Sequence, residues 1–261
     1  MELGLKGKTA LVVASSQGLG KAIAKAYVQE GTNVLLASRN EEQLKSVKVE
    51  LSSIGNAKVD YICCDITNLN DIKKMVEKLK SDYGSLDILI NNAGGPPAGG
   101  FEDMTDEQWQ NSFELNLLSY IRIIREALPL LKQNGGKIIN IASSSIKEPI
   151  PGLILSNTFR TGIVGLSKSL ALELAKYNIL VNTVGPGRIA TDRVKHLDEI
   201  NAKKQGLSLE EMEELEKQSI PLKRYGEPEE FANIVVFLTS TANSYVTGSS
   251  FLVDGGKIKS I

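Results

Sequence analysis

The chain has 261 residues, 42% of them hydrophobic and 23% charged, with a formal net charge of -1. Its length and balance suit one α/β domain over 1–261 with a substantial core. They supply no bulk positive field for nucleic acid, and no apolar run approaches the ~18 residues of a membrane span.

The N-terminal "MELGLKGKTALVVA" carries no basic stretch and no cleavage site. Its apolar part therefore reads as a first strand rather than a leader, and the cytoplasm is the expected location. A glycine turn follows "KTALVVA", and the helix "GKAIAKAYVQEG" stops at Gly31. Strand-like "NVLLAS" leads into an amphipathic helix over 41–53, then strand-like "KVDYICC" into a helix over 69–82. Cys63 and Cys64 are adjacent, so they form neither a CxxC pair nor a metal clip, and strand alternation sends them to opposite faces. No disulfide framework or metal site is expected.

"LDILINNAG" precedes a helix over 106–132, opened by a capping box from Thr105 to Gln108. "GKIINIASSS" precedes a helix over 155–176, and "ILVNTVG" follows it. The stretch 192–220 is rich in Glu and Lys, with a second capping box at Ser208 and Glu211, and reads as a helical lid. Short β-branched runs alternating with helices predict a single-domain, Rossmann-type α/β fold. Its doubly wound parallel sheet would have about seven strands, with helices on both faces.

"VVASSQGLG", from Val12 to Gly20, lies between the first strand and the first helix. Glycines there let a pyrophosphate approach the backbone, and the helix N-terminus offers free N–H groups. The same spacing also serves a plain tight turn. It fits Gly-x-x-x-Gly-x-Gly, with Ala14 in the place of the first glycine. The second strand ends on Ser38 and Arg39, where NAD folds place an acid; a base there suits a 2′-phosphate. Arg39 is equally compatible with a solvated surface position.

With "NNAG" at 91–94, "CCDIT" around Asp65, "VGPGRIATD" at 184–192 and the closing "PEEFANIVVFLTSTANSYVTGSSFLVDGG", the chain resembles a short-chain dehydrogenase/reductase. Within that family it is similar to the 3-oxoacyl-acyl-carrier-protein reductases, over essentially all its length. The resemblance implies NADP(H), with NAD less suited, held by Ala14, Ser16, Gln17, Gly18, Leu19 and Gly20 on the first turn. It implies Ser38 and Arg39 at the 2′-phosphate, and Asp65 with Ile66 at the adenine. Asn92, Ala93 and Gly94 would lie beside the cofactor, and Pro186, Gly187, Ile189 and Thr191 at its nicotinamide.

The implied catalytic positions carry over unevenly. Asn116 matches the asparagine that holds a proton-relay water, and Ser143 matches the serine that meets the substrate carbonyl. The family tyrosine is replaced by Ser156, and the lysine four residues later by Arg160. A tyrosine titrates near ~10, within reach of a neighbouring cation; an aliphatic hydroxyl starts well above that. Arg160 stays protonated and cannot shuttle protons, although it can fork onto ribose hydroxyls.

Three other groups are candidates for the proton: Tyr120, one turn beyond Asn116 but also a natural core tyrosine; His196 at the start of the lid; and Lys147 after Ser143. Ser145, Lys147, Arg188 and His196 are expected at the substrate rim. Arg160, Lys147 and Arg188 together suggest an anionic carbonyl or acyl substrate, unless the last two are solvated. Two functions follow: an NADP(H)-dependent reductase with a rearranged proton donor, or a cofactor-binding sensor or scaffold without turnover. The apolar helices 106–132 and 155–176 predict a symmetric homo-oligomer, a tetramer by family resemblance.

Overall fold

The computed structural model describes residues 2–260; Met1 and Ile261, the ends of the expected domain, lie outside the described residues. The first strand, β1 (Thr9–Val13), buries all five of its side chains, as a strand covered on both faces must. The chain then alternates through α1 (Gly18–Gln29), β2 (Asn33–Ser38), α2 (Glu41–Ser52), β3 (Val59–Cys63), α3 (Leu69–Tyr83) and β4 (Ile88–Asn91). Its second half runs α4 (Asp106–Phe113), α5 (Ser119–Asn134), β5 (Gly136–Ile141), α6 (Ile154–Leu174) and β6 (Ile179–Pro186). It closes with α7 (Asp192–Gln205), α8 (Leu209–Gln218), α9 (Pro228–Thr239) and β7 (Ser250–Val253).

The strands form one seven-stranded parallel sheet in the order β3-β2-β1-β4-β5-β6-β7. Val12 pairs with Leu36 on one side and Ile90 on the other, which fixes the register at the centre. Period-two alternation divides the core into two layers. Val12, Leu36 and Ile90 pack with Ile23, Leu44, Phe231 and Val235, from α1, α2 and α9. Leu11, Leu35 and Leu89 pack with Met75, Ile123, Leu131 and Ile163, from α3, α5 and α6.

After β3, at one edge of the sheet, the chain crosses back to the centre, where β4 pairs with the other side of β1, so the strand order reverses there. Ligands of such sheets bind outside the carboxyl ends of the strands at that switch point. The "NNAG" segment reaches it through a buried polar ladder. Asn91 Nδ2 donates to Asn140 Oδ1 (2.9 Å), Asn140 Nδ2 donates to Ser167 Oγ (2.8 Å), and Thr183 Oγ1 meets the same hydroxyl (2.9 Å). Each strand end is thereby tied to the next, because an unpaired buried amide would be costly.

Both capping boxes form as expected. Cys63 is exposed and Cys64 buried, the two faces that alternation requires, and both are free thiols. The expected single helix over 106–132 is corrected: Glu114–Leu118 forms one π-helical turn between α4 and α5. A π-turn adds a residue to the helical repeat and re-aims the side chains beside it, commonly at functional sites. Asn116 sits within it, completely buried. The expected lid over 192–220 is the pair α7–α8.

Candidate active site

A cleft of about 880 Å³ opens over the carboxyl ends of β1, β2, β4, β5 and β6. One wall is the β1–α1 turn. Ala14 adopts φ 51°, the left-handed conformation that the pattern's first glycine would adopt freely. Gly18 is also left-handed, at φ 54°. A β-carbon on Gly20 would overlap the Ala14 carbonyl oxygen, so only glycine lets α1 start against this turn. Ser16, Gln17, Gly18 and Leu19 line the cleft, while Gly20 packs behind them.

The alanine has a measurable consequence. An L-residue in the left-handed region costs about 1–2 kcal/mol, partly offset by the extra chain entropy of glycine in the unfolded state. Ala14→Gly is expected to raise unfolding stability by about 1 kcal/mol, read as a higher denaturant midpoint at unchanged m.

Where β2 ends, Ser38 Oγ lies 3.0 Å from Ser16 Oγ. Arg39 is exposed on the cleft wall beside Asn40 and Gln43, and among the described residues it has no ion-pair partner. Asp65 does not reach the cleft: its carboxylate accepts from Thr67 N (2.9 Å) and Thr67 Oγ1 (2.8 Å), closing a local turn. Its neighbours Cys64 and Ile66 form the wall instead. Burial, helped by Asp71 and Asp65, pushes the Cys64 thiol up to about 12, which leaves it an inert apolar contact.

The inner end is built by β4, β5 and α6. Asn92, Ala93 and Gly94 continue β4 along the wall, and Ser143 follows β5. Ser143 Oγ accepts from Ser145 N at 3.2 Å. Asn157 fixes the start of α6 by bonding both the nitrogen and the oxygen of Ile150, so Ser156 enters the cleft on the first turn. Arg160, one turn on, is only 4% exposed. Its Nη1 donates to Tyr120 Oη and the Ile141 carbonyl (2.9 Å each), and its Nη2 to the Ala93 carbonyl (3.0 Å). It therefore ties the ends of β4 and β5 together while one face remains on the cleft.

Tyr120 donates to the same Ile141 carbonyl at 2.9 Å and is completely buried. Burial raises its pKa, against the opposing pull of Arg160. Asn116, one turn earlier, has no partner among the described residues for either its amide nitrogen or its oxygen. A buried amide in that condition is suited to hold water or ligand.

Several expected rim residues lie elsewhere. Lys147 is exposed and off the cleft. Ser145 is buried with its hydroxyl unpartnered, and Ser144 takes its place on the wall. His196 is displaced outward because α7 turns that face to solvent; its side chain is 60% exposed and 3.6 Å from Glu199. Arg188 does line the cleft, but it is neutralised by the buried Asp198 and by Glu216 Oε1 at 2.7 Å. Glu216 also holds Lys257 at 2.6 Å, which fastens the chain after β7 to the lid. Pro186, Gly187, Ile189 and Thr191 line the cleft wall at the end of β6 and just beyond it.

Among the cleft residues that the sequence pattern leaves unmarked, one carries a charge close to the implied catalytic positions. Arg193, in the first turn of α7, bends back so that Nη2 donates to the Pro96 carbonyl at 2.9 Å. Its place just after the "GRIATD" turn was the available signal, but only the fold shows where the side chain goes.

The sequence profile described as enoyl-(acyl carrier protein) reductase matches residues 13–257. The NADPH-dependent reductase BacG of Bacillus subtilis is 36% identical over 256 residues, covering 97% of this chain and 99% of that protein. The 3-oxoacyl-[acyl-carrier-protein] reductase FabG of Thermotoga maritima is 34% identical, covering 97% of this chain and 99% of that one. L-Sorbose reductase from Gluconobacter frateurii, solved with NADPH and L-sorbose, superposes with a TM-score of 0.95 at 32% identity and full coverage of both chains.

Proposed function

Since the chain belongs to the enoyl-(acyl carrier protein) reductase family of short-chain dehydrogenases/reductases, we propose that it is an NADP(H)-dependent reductase of a small carbonyl compound. The observation that carries this reading is the continuity of the cleft. It runs from the glycine turn and Arg39, past Ala93, to Ser143, Ser156 and Arg160. The residues fit a dinucleotide: a turn that tolerates no β-carbon at Gly20, a helix N-terminus, and an arginine without an acidic partner at the β2 end.

When bound, the nicotinamide supplies the hydride, and the chain's task is orientation and the proton. Gly18 and the α1 N-terminus would take the pyrophosphate; Arg39 and Ser38 would take the 2′-phosphate. Ser143 and Ser156 present hydroxyls to the carbonyl oxygen. Arg160 has two N–H groups left after its three hydrogen bonds, enough to hold a ribose hydroxyl or a substrate oxygen. Neither serine approaches a tyrosine's acidity, so the proton reaches the oxygen from water that these hydroxyls hold. Orientation then carries most of the rate. Of the groups considered in the tyrosine's place, Lys147 and His196 stand off the cleft, and Tyr120 contacts the site through Arg160.

The replaced tyrosine and lysine favour one second reading, a cofactor-binding sensor without turnover. Mixing purified protein with NADPH and a panel of ketones, keto acids and acyl thioesters separates the two. Loss of NADPH absorbance with at least one carbonyl is expected. Tight NADPH binding with no turnover across the panel would sink the reductase reading.

The protein is also expected to sediment as a homo-oligomer, a tetramer by family likeness. On α6 Leu172 is 76% exposed, and Phe101, edge-on to Trp109, which itself packs on Phe159, is 73% exposed. Apolar surface of this kind marks interfaces. Leu172→Asp should lower the mass at micromolar concentration, and a monomeric unaltered protein would refute the assignment.

A further inference from the structure

Two guanidinium groups line the same cleft, the buried Arg160 and the exposed Arg193, and neither has a carboxylate partner among the described residues. Arg160 is held by two carbonyls and the Tyr120 hydroxyl. Arg193 is held by the Pro96 carbonyl alone. Their charges are close enough that Arg160, after the larger effect of burial, lowers the pKa of Arg193.

The contrast within the same cleft is informative. Arg188 and Lys257 are both neutralised, by Asp198 and Glu216. The remaining carboxylates on the wall do not serve the pair. Glu148 accepts from Lys259 N at 3.4 Å, and exposed Asp192 lies in the first turn of α7, where the helix dipole favours it. Arg160 is thus a cation 4% exposed with its charge uncompensated, aimed into a cavity. Such a charge is stabilised when an anion arrives.

The loop opposite is shaped for the second arginine. A β-carbon on Gly95 would lie 3.0 Å from Arg193 Nη2 and 3.2 Å from its Nε, so the guanidinium lies flat against glycine backbone. One N–H is engaged by Pro96, which leaves four donors on a cleft wall that Ser156 and Arg160 also line.

We infer that Arg193 and Arg160 form an anion subsite that binds the carboxylate of a small oxo acid. The inference rests on the reductase reading and names its substrate class. The carboxylate takes the free N–H groups of both arginines, and the neighbouring ketone then meets Ser143 and Ser156. Because Arg193 belongs to the lid, the substrate's own charge draws α7 onto the cleft. In the reduction the hydride adds to the ketone carbon as the C=O π bond breaks, and the oxygen takes a proton from water, leaving a hydroxy acid whose carboxylate is unchanged.

The test compares 2-oxo-4-phenylbutanoate with its methyl ester, identical at the ketone and different in charge. The unaltered protein should favour the acid in kcat/KM by tenfold or more. Arg193→Gln should raise KM for the acid at least tenfold, leave the ester unchanged, and leave the Kd for NADPH within twofold. Arg193→Lys should recover part of the loss, since charge survives but the fork does not. Calorimetry of the acid and the ester with NADP+-loaded protein gives the same comparison without turnover. If neither compound is reduced yet the acid binds and the ester does not, the reductase reading fails and the anion subsite stands. Ester binding as well as the acid would overturn the subsite, as would equal loss of both in Arg193→Gln. A weakened Kd for NADPH in that variant, with acid and ester unaffected relative to each other, would assign the arginine to a cofactor phosphate and equally overturn it.

Discussion

The double variant Ser156→Tyr with Arg160→Lys is expected to turn over the protein's own carbonyl substrate at least about 10²-fold more slowly. Restoring the family pair would help only if the surroundings still suited it, and they do not. The Arg160 fork reaches the Ala93 and Ile141 carbonyls, at the ends of two strands, and the Tyr120 hydroxyl. A lysine's single ammonium cannot reproduce that planar span. The Ile141 and Ala93 ends would then separate, and Ser143 and Asn92, which follow those strands, would shift with them. Ser156 lines the cleft, so a tyrosine ring there would occupy space that the carbonyl substrate uses in the unaltered protein. NADPH affinity measured alongside separates a damaged site from an unfolded chain. A rise in turnover toward the 10²–10⁴ of acid–base catalysis would show instead that the serine–arginine pair is merely a lost tyrosine and lysine.

Arg39→Asp is expected to reverse the cofactor preference. Unaltered protein should bind NADPH more tightly than NADH. A charge-assisted arginine–phosphate contact contributes about 1.5–3 kcal/mol, or roughly 10- to 150-fold. The carboxylate introduced by the substitution would repel that phosphate and accept from a ribose hydroxyl, so the swing should reach about 10²-fold or more. Arg39 is exposed on the cleft wall with no ion pair among the described residues, so its loss should leave the fold intact. Calorimetry with both cofactors decides it, and equal affinities in the unaltered protein would remove the assignment.

Much of the architecture was legible because it depends on short-range patterning. Runs such as "TALVV" and "KIINI" are apolar on both faces, which only a strand between two helical layers requires, and α2, α3 and α4 between them carry side-chain caps. The β1–α1 turn was equally legible, since glycines at 18 and 20 answer to local sterics. The break in the helix over 106–132 was not: no glycine or proline marks Glu114–Leu118, so no local signal announces the π-turn.

The chain order of residues by itself determined the parallel sheet and the glycine turn at one wall of the cleft. Periodicity, glycine placement and register act over a few residues, so they can be read directly. The tertiary structure alone decided which charges face the cleft. Arg188 stands in the motif yet is neutralised by Asp198 and Glu216, ten and twenty-eight positions away. Arg193 carries no motif yet lies against Gly95 and Pro96, ninety-seven positions from its acceptor. The physical reason is that a long cation's partner is chosen in space, by distance and desolvation, and neither quantity is written in the spacing of residues along the chain.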